Sequence, residues 1–251
     1  MNKKTGNMNL IGHLSELRNR LIISVVTLCV AFLIFFQFAD HVVEHLTAMG
    51  VEYGYAFVYL APQELFIQYM KVGFIGAICI SSPILLFQIA RFVAPGLKKN
   101  ENIVMFLSMT FGLFFFILGV FFAYKISIPF MLNFFVSVNT TANIVANISI
   151  ENYIGMLLMV FLVFGIVFEL PVVAVILTQL GLLRPEWMIA ARPVAIVVIF
   201  FIGAVITPPD IVSQCLISFP MVVLYQLSIY LCKFFCKRRD KLKTERDEDA
   251  S

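Results

Sequence analysis

VFGIVFELPVVAVIL, Val163 to Leu177, is apolar on both sides of a single acidic residue, Glu169, with Pro171 two positions later. A run of this kind suits a helix in lipid, and the carboxylate inside it needs a reason. An ionised acid near the centre of a spanning helix costs on the order of 2.5–3.5 kcal/mol on insertion scales, so such groups face a bundle interior or a filled cavity. Two roles stay open for Glu169: a protonated hydrogen-bonding link between helices, or a carboxylate facing water or a partner. Pro171 removes one helix hydrogen bond, leaves the carbonyl of Val167 unpaired and predicts a kink beside the acid.

The rest of the chain repeats the apolar theme. Its 251 residues are 61% hydrophobic and 13% charged, with a mean hydropathy of +0.96. Soluble domains run at about 45–50% apolar and about 25% charged, so lipid is the expected solvent. Six stretches approach the roughly 20 apolar residues that a span requires: about 21–39, 70–92, 103–124, 153–180, 192–206 and 211–232. The uninterrupted run of the fifth, VAIVVIFFIGAVI, ends at Thr207-Pro208-Pro209-Asp210. At about 1.5 Å per residue it falls short of a core of about 30 Å. The fifth and sixth helices are therefore expected to be short and to form a hairpin that stops below the outer surface. The reading is an all-α integral membrane protein: one six-helix domain over 1–236 and a charged tail over 237–251, expected to be disordered.

Positive residues accumulate on the cytoplasmic side. Of the 18 Lys and Arg, all but Lys71 and Lys125 fall in the N-terminal segment, the 2–3 loop, the 4–5 loop or the tail. Both termini are thus expected in the cytoplasm. The basic N-terminus lacks an apolar core and a small-residue cleavage site, so no cleaved leader is expected. Cys29, Cys79, Cys215, Cys232 and Cys236 have no metal-site spacing and read as small buried hydrophobes.

Gly165 and Gly155 share the helix face of Glu169, a smooth surface suited to another helix. Gly73, Ala77 and Ser81 form a small-residue face for close packing. HVVEH, His41 to His45, matches a zinc-peptidase pattern, but no third ligand or substrate cleft accompanies it, and a polar interfacial segment is the expected reading. The chain has no phosphate-binding loop and no G-x-S-x-G. No covalent catalysis, metal, cofactor or nucleic-acid partner is expected.

Four stretches, HLSELRNRL (13–21), FVAPGLKKNE (92–101), FELPV (168–172) and TPPDIVSQ (207–214), together resemble the TatC family, the multi-span subunit of the twin-arginine translocase. The likeness runs from about Asn9 to Cys236. It implies a glove-shaped, concave six-helix bundle in the bacterial cytoplasmic membrane. It implies binding of twin-arginine signal peptides of folded cargo, recruitment of single-span TatA-type subunits (and a TatB-type subunit where present), association with further copies of the chain, and export driven by the proton-motive force. By the same resemblance Glu101, Phe92, Glu16, Lys99 and Arg18 form the signal-peptide site. Glu169 and Gly165 meet a partner helix, and Pro83, Pro171, Pro208, Pro209 and Asp210 are structural. Asp210 also reads as a helix cap, and the tail as a possible contact for anionic lipid. One departure from the family is the absence of Pro between Asp40 and Ala61. The rival readings are a secondary transporter with Glu169 as proton carrier, against which the lack of an inverted repeat counts, and a scaffold without recognition chemistry.

Overall fold

The computed structural model describes residues 4–93, 99–139, 147–179, 181–206 and 210–248, with side chains described for residue 12, 14–89, 91–92, 110–138, 147–179, 181–206 and 210–237. Among the described residues, eight α-helices and two short strands follow in the order α1 Lys4–Phe36, α2 Ala39–Glu52, β1 Ala56–Val58, α3 Glu64–Val93, α4 Lys99–Phe122, α5 Ile128–Asn139, β2 Asn147–Ser149, α6 Ile150–Gln179, α7 Pro185–Ile206 and α8 Ile211–Glu248. A π-helical turn, Ala123–Ser127, joins α4 to α5. Among the described residues, six helical stretches are long and apolar enough to cross a membrane, the third running from α4 through the π-turn into α5.

Helix ends follow local chemistry. Pro185 opens α7 with a preset φ and Glu186 stands in its first turn, where the helix dipole favours a negative charge. Asp210 caps α8, its Oδ2 accepting from the Ser213 amide at 2.6 Å. Gly181, at φ +76°, closes α6 in a left-handed conformation that only glycine adopts without penalty.

The fifth span was expected to be short, and α7 has the fewest residues of the six spans, 22. It is nonetheless longer than its apolar run, because the helix begins at Pro185. Its length is then about 33 Å. The sixth helix is not short: α8 has 38 residues. Where the sequence reading set a boundary at 236 and a disordered tail, the charged segment continues α8 as helix to Glu248.

Helix α6 is the centre of the bundle. It packs on α3, α4 and α8, while α1 leans on α3 and α7 on α8. Glycines set the closest approaches. A Cβ on Gly119 of α4 would come within 2.6 Å of the Phe164 carbonyl of α6, and one on Gly203 of α7 within 2.5 Å of Ser218 Oγ on α8. Gly73 and Gly76 of α3 lie under Phe32, Phe35 and Phe36 of α1, so the small-residue face of α3 serves packing, as its spacing suggests.

The helix ends opposite the two termini are knitted into a cap. In α2 the buried residues Ala39, Val43, Leu46 and Gly50 form one stripe, the pattern of a surface helix laid on a core. Gly50 lies under Phe57 and Tyr153, and the Tyr153 hydroxyl donates to the Leu46 carbonyl at 3.0 Å. Strands β1 and β2 pair in parallel, Ala56 opposite Asn147, and so join the segment before α3 to the segment before α6. The buried Glu64 carboxylate accepts from the amides of Leu60 (2.6 Å), Ala61 (3.3 Å) and Glu151 (3.0 Å) and from the Ser149 hydroxyl. Lys71 adds an ion pair to Glu151 at 2.8 Å.

Candidate functional site

Two places hold the residues singled out in the sequence. The first is where the start of the first span, in α1, meets the end of α3. Glu16 is ion-paired with Arg20 one turn along α1. The Arg20 guanidinium also donates to the Gln88 side chain of α3 at 3.2 Å. This three-residue link fixes the start of the first span against the end of α3. Phe92, half-buried, stands one helical turn beyond Gln88, and positions four apart share a helix face. Arg91 lies over the Phe87 ring at 5.8 Å from its centroid. The partner of Glu16 is thus Arg20, which the sequence reading passed over, while Arg18 is exposed. An i, i+4 Glu–Arg spacing was the signal that could have found it. Glu16 keeps a third of its side chain exposed, against 14% for Arg20. Glu101 and Lys99 belong to the first turn of α4, and their side chains lie outside the described residues, as do Pro208 and Pro209 altogether.

The second place is Glu169. It lies ten residues before the C-terminal end of α6, about 15 Å along the axis, and is 7% exposed. The Ser82 hydroxyl of α3 stands at its carboxyl group, and that hydroxyl also faces the Cys79 carbonyl at 3.1 Å. Glu169 Oε1 has no hydrogen-bond partner among the described residues. A buried polar atom without a partner costs roughly 1–3 kcal/mol, so the position is dear to keep for packing alone. Pro171 and Pro83 lie inside α6 and α3 near this contact, and both helices continue through them.

Gly165 corrects an expectation. Its smooth face is not open to a partner: a Cβ there would come within 2.5 Å of the Phe116 ring of α4. Helical spacing told which face it shares with Glu169, but not that α4 already fills the space one turn away. Gly155 does look into open space. Asp210 is a cap, and its Oδ1 is buried without a partner among the described residues. The two histidines of HVVEH turn to different neighbours. His41 Nδ1 meets Asp40 at 2.8 Å and His45 Nε2 meets the Tyr124 hydroxyl at 2.7 Å. Among the described residues no three His, Cys, Asp or Glu cluster as metal ligands. Cys29 and Cys215 are exposed rather than buried.

A wide apolar groove of about 960 Å³ opens between α3 and α4 under α2. Cys79, which neighbours Glu169 electrostatically, lies in its wall. The groove was not foreseen, because an apolar lining has the same composition as a lipid-facing surface.

Known proteins carry the same pattern. The family described as "Sec-independent protein translocase protein (TatC)" matches residues 12–220. A Helicobacter pylori protein of that name is 38% identical over 95% of this chain and 94% of its own length. The "Sec-independent protein translocase protein TatCy" of Bacillus subtilis is 31% identical over 99% of this chain and 97% of its own. A crystal structure of a "Twin Arginine Translocase Receptor- TatC" superposes with a TM-score of 0.79, at 34% identity, covering 89% of this chain and 99% of the other. With six spans and these relatives, the chain is a multi-pass bacterial membrane protein, and it belongs to the TatC family of Sec-independent protein translocase proteins.

Proposed function

We propose that this chain is the receptor subunit of a twin-arginine translocase. It binds the signal peptides of folded cargo at its cytoplasmic face and gathers single-span TatA-type subunits (and a TatB-type subunit where present) for export driven by the proton-motive force. The observation that carries the reading is the likeness to the solved twin-arginine translocase receptor over nearly the whole chain.

The chemistry of the inner site supports it. A guanidinium presents a planar fork of donors that a carboxylate accepts in bidentate fashion, and Lys keeps the charge but loses the fork. Glu16 already holds one guanidinium, that of Arg20, and the carboxylate is still partly exposed. An incoming arginine pair exchanges with or adds to Arg20 at Glu16 and engages Glu101 across the 2–3 loop. Lys99 and Arg18 tune the local charge, and Phe92 packs on the arginine stems. Glu169 is the contact for the partner helix: its unpaired Oε1 accepts a hydrogen bond from a polar group on the single-span subunit. A hydrogen bond strengthens in low dielectric, so one polar group on the partner suffices for a specific contact.

A photo-reactive residue at position 92 in inner-membrane vesicles tests the receptor role. Cross-linking should require Arg-Arg in the signal peptide, fall with Lys-Lys, and fall with Glu101→Ala. Equal cross-linking in every case would place peptide recognition elsewhere.

A further inference from the structure

The groove between α3 and α4 has a polarity pattern of its own. Along α3 its wall runs from Val72 to Pro83, about 16 Å at 1.5 Å per residue, or about half of a hydrocarbon core of about 30 Å. It is therefore one leaflet deep. Apart from Cys79, its polar lining residues, His41, His45 and Tyr124, all stand at the outer end. There the groove meets a second, smaller pocket of about 230 Å³ that shares His45 and Tyr124 and adds Glu52 and Lys125. Lys125 Nζ lies 5.0 Å from the centre of the Tyr124 ring. Lys125 and Glu52 line one pocket, yet the ion pairs of the described residues do not join them. The π-turn Ala123–Ser127 carries both Tyr124 and Lys125 to this junction, and such turns recur at functional positions.

An apolar trough one leaflet deep, ending in a small pocket with one cation and one anion, matches an amphiphile with a dipolar head. A spanning helix would need a trough of twice that depth. We propose that this site holds an outer-leaflet phospholipid with a zwitterionic, primary-ammonium headgroup. The acyl chains lie in the groove, the phosphate meets Lys125, and the ammonium donates to Glu52. A single-sign headgroup satisfies Lys125 and leaves Glu52 opposed to a negative charge. A quaternary ammonium satisfies the charge of Glu52 without donating a hydrogen bond. The order of preference is therefore phosphatidylethanolamine, then phosphatidylcholine, then phosphatidylglycerol.

Native mass spectrometry of the full chain tests this, after detergent delipidation and re-addition of the three lipids in equal amounts. Phosphatidylethanolamine should be retained over phosphatidylcholine by roughly tenfold, the ratio expected for about one charge-assisted hydrogen bond. Glu52→Gln should erase that ratio, and Lys125→Gln should lower retention of all three. Ile80→Trp, which fills the groove from an exposed wall position, should lower all three without altering the order. Each variant is compared at an unfolding temperature matched to the parent without lipid, so that misfolding is seen separately. Equal retention of the three lipids, a preference for phosphatidylglycerol, or a preference unchanged in both headgroup variants would overturn the assignment. So would a groove that holds a signal peptide and excludes lipid.

Discussion

Glu169 and Arg20 are both ionisable side chains drawn into helix contacts, with opposite outcomes. Arg20 is matched by Glu16 and Gln88, so its burial is offset. Glu169 keeps one oxygen unmatched. Glu169→Ala should leave signal-peptide binding within about twofold and weaken recruitment of the single-span subunit by roughly tenfold, the loss of about one buried hydrogen bond. Glu169→Gln, which keeps an acceptor, should recover most of it, and co-purification of the tagged partner reads both. Loss of peptide binding with recruitment intact would reverse the assigned roles. At the start of α2, the hydrogen bond that the His41 ring donates to the Asp40 carboxylate, helped by the carboxylate's charge, raises the His41 imidazole above its ordinary value and lowers Asp40. The sign follows: a raised histidine contributes its stability below the unfolded value and loses it as pH rises through the folded one. His41 should therefore titrate above about 6.5 by NMR, and Asp40→Asn should bring it down. Both residues are exposed, so the effect on unfolding should be slight.

Among the elements, the spans were the most legible, because hydropathy counts residues that must be apolar whatever they touch. Their ends were less so. The first residues of α7, PEWMIAA, mix polar and apolar positions, and only the Pro185 start shows that they belong to the helix. The cap was hidden for a different reason. Strand β1 pairs with β2 across two intervening spans, and three-residue strands leave no periodicity to read. HVVEH looked like a ligand pair, yet its i, i+4 spacing had a plainer meaning: His41 and His45 share one face of α2, and both line the groove. Glu64 is the residue on which the cap turns, since one carboxylate serves the segment after β1 (Leu60 and Ala61), β2 and α6. Glu64→Ala leaves one buried donor, the Ser149 hydroxyl, and three part-buried amides without this acceptor and should cost about 1–3 kcal/mol, the penalty of roughly one stranded buried donor. The measurable result is a lower unfolding temperature in detergent, with faster amide exchange in β1 and β2. Gly165→Leu should also destabilise, by about 1–3 kcal/mol, since the added side chain meets Phe116. If it instead weakened partner binding in a fully stable protein, Gly165 would regain the docking role.

At the scale of the molecule, one helix organises the rest. In α6 half of the span is buried, against 11% in α7 and 6% in α1. The periphery is therefore held by single neighbours, α1 by α3 and α7 by α8. Such an arrangement keeps a rigid centre around Glu169 and leaves large apolar surfaces at both ends for lipid or for other spans. Local opening follows packing, so amide exchange in detergent should be slowest in α6 and fastest among the spans in α7 and the inner half of α1. Orientation adds a second test of the same whole. Lys and Arg crowd the side of the α3–α4 and α6–α7 connections and of both termini, and the positive-inside bias puts that side in the cytoplasm. The cap, with α2, β1 and β2, then faces outward. In a variant with all five native cysteines replaced, a cysteine at Gly54 should react with a membrane-impermeant maleimide in intact cells. One at Lys241 should react only after lysis. Labelling in the opposite order would invert the molecule, moving Glu16 to the outer face, where a signal peptide presented from the cytoplasm could not reach it.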